Sequence, residues 1–98
     1  MEEVAEQIIV TIQSKEMDWF TAWNVKGYIP MDHGILLYVT RKDGQDVVVS
    51  IQTKDQSIYQ LELLRNNDKF DRIVLGGRYD VEQVELAEAI DQLLTVYH

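Results

Sequence analysis

The sequence has no cysteine, a single proline and no long apolar run. Without cysteine the chain forms no disulfide, and thiol catalysis and cysteine-based zinc sites are excluded. A membrane span needs roughly 20 apolar residues, so we expect no membrane association. The chain begins Met1-Glu2-Glu3 with no basic n-region, and we therefore expect no secretory signal and a cytoplasmic protein.

Basic residues are also scarce: nine Lys plus Arg stand against seventeen Asp plus Glu, giving a net charge of −8. Such a charge repels phosphate backbones and anionic lipid, so we expect no direct binding to nucleic acid. The charge is uneven along the chain. Residues 80–98 hold five Asp or Glu and no Lys or Arg, whereas residues 54–79 hold five Lys or Arg against four Asp or Glu. The acidity is therefore concentrated towards the ends of the chain.

Both ends have helical periodicity. Residues 2–15 repeat apolar side chains every three to five positions, which predicts an amphipathic helix. A second helix is predicted over about 81–96, where Asp80 and Gln83 are spaced as in a capping box. Tyr79 and Val84 occupy the two positions of a hydrophobic staple at the start of this helix.

The middle of the chain predicts strands. Gly34–Thr40 and Asp46–Thr53 are β-rich runs around the turn signal Asp43-Gly44, which together indicate a hairpin. A turn is predicted at 66–69, and a short strand over 70–75 that ends at Gly76-Gly77.

Two segments can be interpreted in two ways. Residues 57–65 fit a half-buried strand or a helix, and we favour the strand. Residues 18–26 fit a strand, with Trp19 and Trp23 on one face, or a short helix capped by Asp18 and ended at Gly27. Here too we favour the strand. The predicted fold is one α+β domain over residues 1–98, α-β(4–5)-α, with an antiparallel meander sheet and both helices on one face.

No catalytic or cofactor-binding pattern is visible. His33 lies in an apparent turn, Ile29–Gly34, without a second internal histidine, and we interpret it as a solvated turn residue. Gly76-Gly77 precedes a predicted helix, but its spacing matches no phosphate-binding loop and the first helical turn is acidic. The carboxylates of the end helices are best interpreted as solvated, so we expect no cofactor, no metal and no enzyme activity.

The residues that stand out are those suited to contact with a protein. Both tryptophans lie within five positions, and tryptophan and tyrosine are enriched in interfaces. Core packing is nevertheless the favoured role for these aromatic side chains, and a partner surface is the alternative. The candidate partner surface consists of Trp19, Trp23, Tyr28, Glu82, Glu85, Glu88 and Asp91.

We therefore predict an acidic, non-catalytic accessory protein that binds another protein. Gly34–Val39 and Val47–Val49 are apolar on both faces, unlike a strand with one solvated side, which predicts a homodimer joined through the sheet. One alternative is a nucleic-acid mimic whose acidic helix occupies the basic groove of another protein. A second alternative is a ligand-binding domain or small enzyme with a pocket between sheet and helices, to be tested first at Tyr28, His33, Tyr38 and Arg78.

Overall fold

The fold is built on a five-stranded antiparallel sheet in which every strand pairs with the next one along the chain. The structure is a computed structural model that describes residues 2–13, 18–41, 44–55, 58–66 and 72–96. The strands are β1 (Val25–Met31), β2 (Gly34–Thr40), β3 (Asp46–Asp55), β4 (Ile58–Asn66) and β5 (Arg72–Glu82). The helices are α1 (Glu2–Gln13), α2 (Trp19–Ala22) and α3 (Leu86–Val96). The predicted α+β meander with a helix at each end is confirmed.

The β1–β2 and β2–β3 connections are short turns. Between β2 and β3 the backbone N–H of Gly44 donates to the carbonyl of Arg41 over 2.9 Å, and Gly44 has a φ of 86° that favours glycine. The β1–β2 turn consists of Asp32 and His33 alone. The predicted turn Ile29–Gly34 was therefore too long, because its first three residues pair with β2. Asp43 and residues 67–69 of the turn predicted at 66–69 lie outside the described residues, and Asn66 belongs to β4 instead of the turn.

The favoured strand over residues 18–26 was wrong for Trp19–Ala22, which form the short helix of the alternative interpretation. That helix does not extend to Gly27, because β1 already begins at Val25. Asp18 caps α2, since its carboxylate accepts hydrogen bonds from the backbone N–H and the hydroxyl of Thr21. The helix ends after one turn, and Asn24 follows with a φ of 57° that reverses the chain into β1. The favoured strand over 57–65 is confirmed as β4.

The boundary between β5 and the last helix was also predicted wrongly. Gly76 and Gly77 lie inside β5, paired with Leu63 and Glu62, and do not end it. Asp80 is a strand residue with a φ of 56°, not a helix cap. A short 3-10 turn, Gln83–Glu85, then leads into α3. Tyr79 and Val84, the two residues of the predicted hydrophobic staple, lie in β5 and in the 3-10 turn, and both side chains are exposed.

The sheet separates two apolar clusters of unequal size. On one face, α1 and α3 cover the large core, which includes Ile8 and Ile90 from the helices and Leu37, Val49 and Leu61 from the central strands. On the other face, a smaller cluster contains Leu36, Val48 and Leu64, with Met31 and Tyr38 packed against it. None of the described helices contributes to this second cluster.

Candidate interaction surfaces

The two tryptophans form a stacked pair beside α3. Their ring centroids are 5.2 Å apart with an interplanar angle of 26°. Trp23 is buried, and its indole Nε1 donates to the carboxylate of Asp91 over 3.1 Å. Trp19 and Phe20 are half-buried and pack against the large core. The tryptophan pair therefore belongs to the large core and its margin, as the core-packing interpretation predicts.

The indole nitrogen of Trp19 lacks a hydrogen-bond acceptor among the described residues, although it is buried. A buried donor without an acceptor costs about 1–3 kcal/mol. Stacking on Trp23 and contact with the core offset this cost. The α2 corner is thus held by ring packing and by one hydrogen bond to Asp91.

The four acidic candidates lie in three different elements. Glu82 ends β5, Glu85 lies in the 3-10 turn and Glu88 lies in α3; all three are exposed. Asp91 is half-buried and faces the tryptophan pair. Arg78 of β5 donates a hydrogen bond to Gln92 on α3, so a cation also lies against this helix. The predicted stripe of four outward carboxylates is therefore reduced to three.

The residues suggested for a pocket are not brought together. Tyr28 on β1 pairs with Leu37 and lies on the helical face, whereas Tyr38 lies on the opposite face with Val48. Arg78 is on β5, at the other edge of the sheet, about 19 Å from β1 at the usual strand spacing. His33 is exposed in the β1–β2 turn. These four side chains do not form one site.

The face of the sheet opposite the helices, which we call the open face, carries a belt of apolar side chains. Residues paired across strands share a face, so the pairs Tyr38–Val48, Val48–Leu64 and Leu64–Val74 form one row across four strands. Ile29 lies beside Leu36 in the next row. Leu36, Val48 and Leu64 are only 7–8% exposed, whereas Ile29 and Val74 at the flanks are 48% and 54% exposed.

Glu62 is the half-buried carboxylate of the open face, on which the carboxylates of Asp46 and Glu82 are exposed. Glu62 accepts a hydrogen bond from the hydroxyl of Tyr79 over 3.2 Å. The negative charge of Glu62 raises the pKa of the Tyr79 phenol above its ordinary value. Gly77 leaves room for the tyrosine, because a Cβ there would lie 2.7 Å from the phenol oxygen. No local pattern in the sequence indicates this contact, which depends on the register of β4 and β5.

Both edges of the sheet are irregular. The pairing of β1 with β2 shifts between Val25 and Gly27, and β1 also contains Pro30, which has no N–H to donate. The pairing of β5 with β4 shifts twice, between Tyr59 and Leu61 and between Leu63 and Leu64. Bulges and proline on edge strands disfavour pairing with another strand. The edges are thus poorer docking surfaces than the open face.

Searches of protein-family models, curated proteins and solved structures give no match to this chain. Across the part of the chain that the structure describes, no group of three or more His, Asp or Glu is arranged to hold a metal ion. Within the same residues, no helix has the length and apolar character that crossing a bilayer requires.

Proposed function

We propose that this chain is a non-catalytic protein-interaction protein that acts as a symmetric homodimer, with the open face as the interface between the two copies. The observation that carries the proposal is the apolar row Tyr38, Val48, Leu64 and Val74, which crosses a sheet face that no described helix covers. Exposed aliphatic side chains at Val74 and Ile29 extend the belt towards both flanks. Burial of such side chains is favourable at about 25 cal/mol per Å².

The dimensions of the open face suit a dimer. Five strands spaced about 4.8 Å apart and about seven residues long span roughly 24 by 23 Å, or about 550 Å² in projection. Side-chain relief raises the accessible area above its projection, towards the roughly 800 Å² that each partner buries in a standard interface. Two such faces stacked about 10 Å apart form a β-sandwich with the helices on its outer sides.

A second copy is the occupant that the charge of the protein favours. The open face carries charges of both signs around its apolar row: the anions are Asp46, Glu62 and Glu82, and the cations are Arg72 and the Lys26 that pairs with Asp46. Two copies therefore meet there with less repulsion than the net charge of −8 creates over the whole molecule. The exposed carboxylates Glu85 and Glu88 stay on the outside of such a dimer, where they are available to steer a basic partner protein, as predicted for an accessory factor. Glu82, in contrast, pairs with Ile58 and lies on the open-face side at the end of β5.

The proposal is tested by the mass of the protein in solution. Light scattering at tens of micromolar should give twice the mass of one chain, and Val74→Lys should reduce it to that of one chain. Val10→Lys is the matched control, because Val10 is 65% exposed but lies on α1, away from the sheet. A single-chain mass for the unsubstituted protein, or equal effects of the two lysines, contradicts the proposal.

The nucleic-acid mimic has less support than the sequence alone suggested. One of its four carboxylates, Asp91, is bound to Trp23 inside the fold and is not free to imitate a phosphate. The nucleic-acid mimic stays a prediction that now depends on three exposed carboxylates, Glu82, Glu85 and Glu88. Steep loss of binding with salt would be its signature.

A further inference from the structure

We infer that the two copies pack with their two-fold axis along the row Tyr38–Val48–Leu64–Val74, so that Glu62 of each copy forms an ion pair with Arg72 of the second copy. This inference rests on the proposed homodimer and specifies its register. In this register the open face is complementary to itself both in its apolar contacts and in its charges.

Glu62 and Arg72 lie on opposite sides of the apolar row. On β4, Glu62 precedes Leu64 by two residues, and on β5, Arg72 precedes Val74 by two residues. Because β4 and β5 are antiparallel, these two steps run in opposite directions. Each side chain is therefore about 7 Å from the row, one on either side. Both share the open face with Leu64 and Val74, since residues two apart on a strand point the same way.

A two-fold axis along the row exchanges its two sides. Glu62 of one copy then lies above the position that pairs with Arg72, namely residue 66 on β4 of the second copy. Arg72 of the second copy is one strand away, about 4.8 Å to the side. An arginine side chain spans this gap and can present its guanidinium to the carboxylate. The symmetry creates the same pair twice.

Among the residues that the structure describes, neither side chain has an oppositely charged partner. Among the described residues the carboxylate of Glu62 contacts only the phenol of Tyr79, and it is half-buried. Arg72 is exposed and makes no hydrogen bond or ion pair there. Covering the open face would leave Glu62 as an unpaired buried charge, which is costly. Pairing with Arg72 removes that cost and adds charge-assisted hydrogen bonds.

The other carboxylate near this contact already has a partner. Asp46 lies on the same side of the row as Arg72, paired across the strands with Thr40. Its carboxylate is 3.7 Å from the ammonium of Lys26 and accepts a hydrogen bond from the Thr40 hydroxyl over 2.8 Å. It therefore adds little repulsion towards an approaching Glu62. Arg72 remains the cation available to that carboxylate.

A different axis is less favourable. An axis along the central strand β3 exchanges β2 with β4, and it places Glu62 of one copy over Leu36 of the second. That arrangement buries a carboxylate against an aliphatic side chain with no cation beside it. The charge pattern of the open face thus selects the axis along the row.

Charge reversal tests the register. Glu62→Arg leaves only cations at the two positions, and Arg72→Glu leaves only anions, so each variant alone should dimerise at least about tenfold more weakly. An equimolar mixture of the two should form a heterodimer whose dissociation constant is within about threefold of the original. Native mass spectrometry separates the three dimers, and circular dichroism confirms that each variant folds.

Two controls separate the register from other effects. Tyr79→Phe removes the phenol that Glu62 binds within its own chain and should leave the dimer intact. Glu88→Arg reverses an exposed carboxylate on α3 and should not rescue Arg72→Glu. If the unsubstituted chain dimerises and Val74→Lys prevents it, but the mixture shows no rescue, then the register is wrong and the proposed function stands. A monomeric unsubstituted chain overturns both.

Discussion

At the scale of single residues, the hydrogen bond between Trp23 and Asp91 joins segments that are 68 positions apart. Sequence analysis placed both side chains on one candidate surface but could not show that they bind each other. Such a contact depends on how α2 and α3 meet, and no spacing in the sequence reports it. Asp91 and Glu88 are both acidic residues of α3, but Asp91 faces the tryptophan pair whereas Glu88 is exposed.

Removal of the acceptor should therefore destabilise the protein. We expect Asp91→Ala to lower the free energy of unfolding by about 1–3 kcal/mol, because it leaves the buried indole N–H without a partner. Glu88→Ala, an exposed neighbour on the same helix, should change it by less than about 0.5 kcal/mol. Urea unfolding followed by circular dichroism measures both values. Equal effects would show that the hydrogen bond contributes nothing.

The cap at Asp18 makes a second residue-scale prediction, this one on pH. Hydrogen bonds from the hydroxyl and then the backbone N–H of Thr21 lower the pKa of the Asp18 carboxyl below its ordinary value of 3.8. Its contribution to stability is therefore present above pH 3.8 and is lost as the pH falls through the lower folded value.

The test compares thermal unfolding of the original chain and Asp18→Asn across acidic pH. The original chain should be the more stable above the ordinary pKa, and its advantage should disappear in stronger acid. Thr21→Val removes the hydroxyl that is the largest cause of the lowered pKa, so the pH dependence of the stability difference should shrink in this background. An advantage that grows towards low pH would contradict the assignment.

At the scale of elements, the sequence predicted the helices and central strands well and the junctions poorly. Gly34–Thr40 was predicted with the observed bounds, because a continuous β-branched and apolar run has no competing interpretation. Around residues 18–26 the alternation of Trp19 and Trp23 imitates a strand. The Asp18 cap and the reversal at Asn24 decide for a helix, and both act through local geometry.

The β5 boundary failed for a related reason. Gly76-Gly77 and Asp80 are typical of a turn and a cap when considered alone. In the fold, pairing with Leu63 and Glu62 keeps the glycines in the strand, and the positive φ of Asp80 occurs within an edge strand. The candidate sites share this limit: the apolar nature of the open face was visible in the sequence, whereas the Glu62–Tyr79 contact required the register.

Glycine placement gives the element-scale prediction. A Cβ at Gly34 would lie 1.9 Å from the backbone carbonyl oxygen of Ile51, so β2 and β3 would have to separate. We expect Gly34→Ala to cost about 3 kcal/mol or more in the free energy of unfolding. Gly27→Ala is the matched control on β1, because a Cβ there meets no atom within 4 Å. Chemical denaturation compares the two, and equal costs would contradict the close approach.

At the scale of the whole molecule, the net charge of −8 is unevenly distributed over the surface. The exposed carboxylates Glu85 and Glu88 lie in the 3-10 turn and in α3, Glu82 borders the open face, and the centre of that face is the apolar cluster of Leu36, Val48 and Leu64. A protein with this asymmetry can associate through one side while the other side stays solvated and repulsive. If the proposed dimer forms through the open face, this division favours discrete dimers over larger aggregates.

The proposed dimer predicts that stability depends on protein concentration. When unfolding also separates two chains, each tenfold increase in concentration stabilises the dimer by about 1.4 kcal/mol. The thermal midpoint of the original chain should therefore rise with concentration. That of Val74→Lys should stay constant, because its unfolding involves one chain. Scanning calorimetry over a hundredfold range of concentration measures this, and a constant midpoint for both contradicts the dimer.

The tryptophan pair also gives the protein a built-in optical probe. Trp19 and Trp23 are the only two tryptophans of the chain, and their rings are 5.2 Å apart. All tryptophan fluorescence therefore originates at the corner where α2 meets α3, and the sheet contributes none. Two chromophores at this distance couple, so the near-ultraviolet dichroism should carry a signature of their stacking. Opening of this corner can thus be followed separately from unfolding of the sheet.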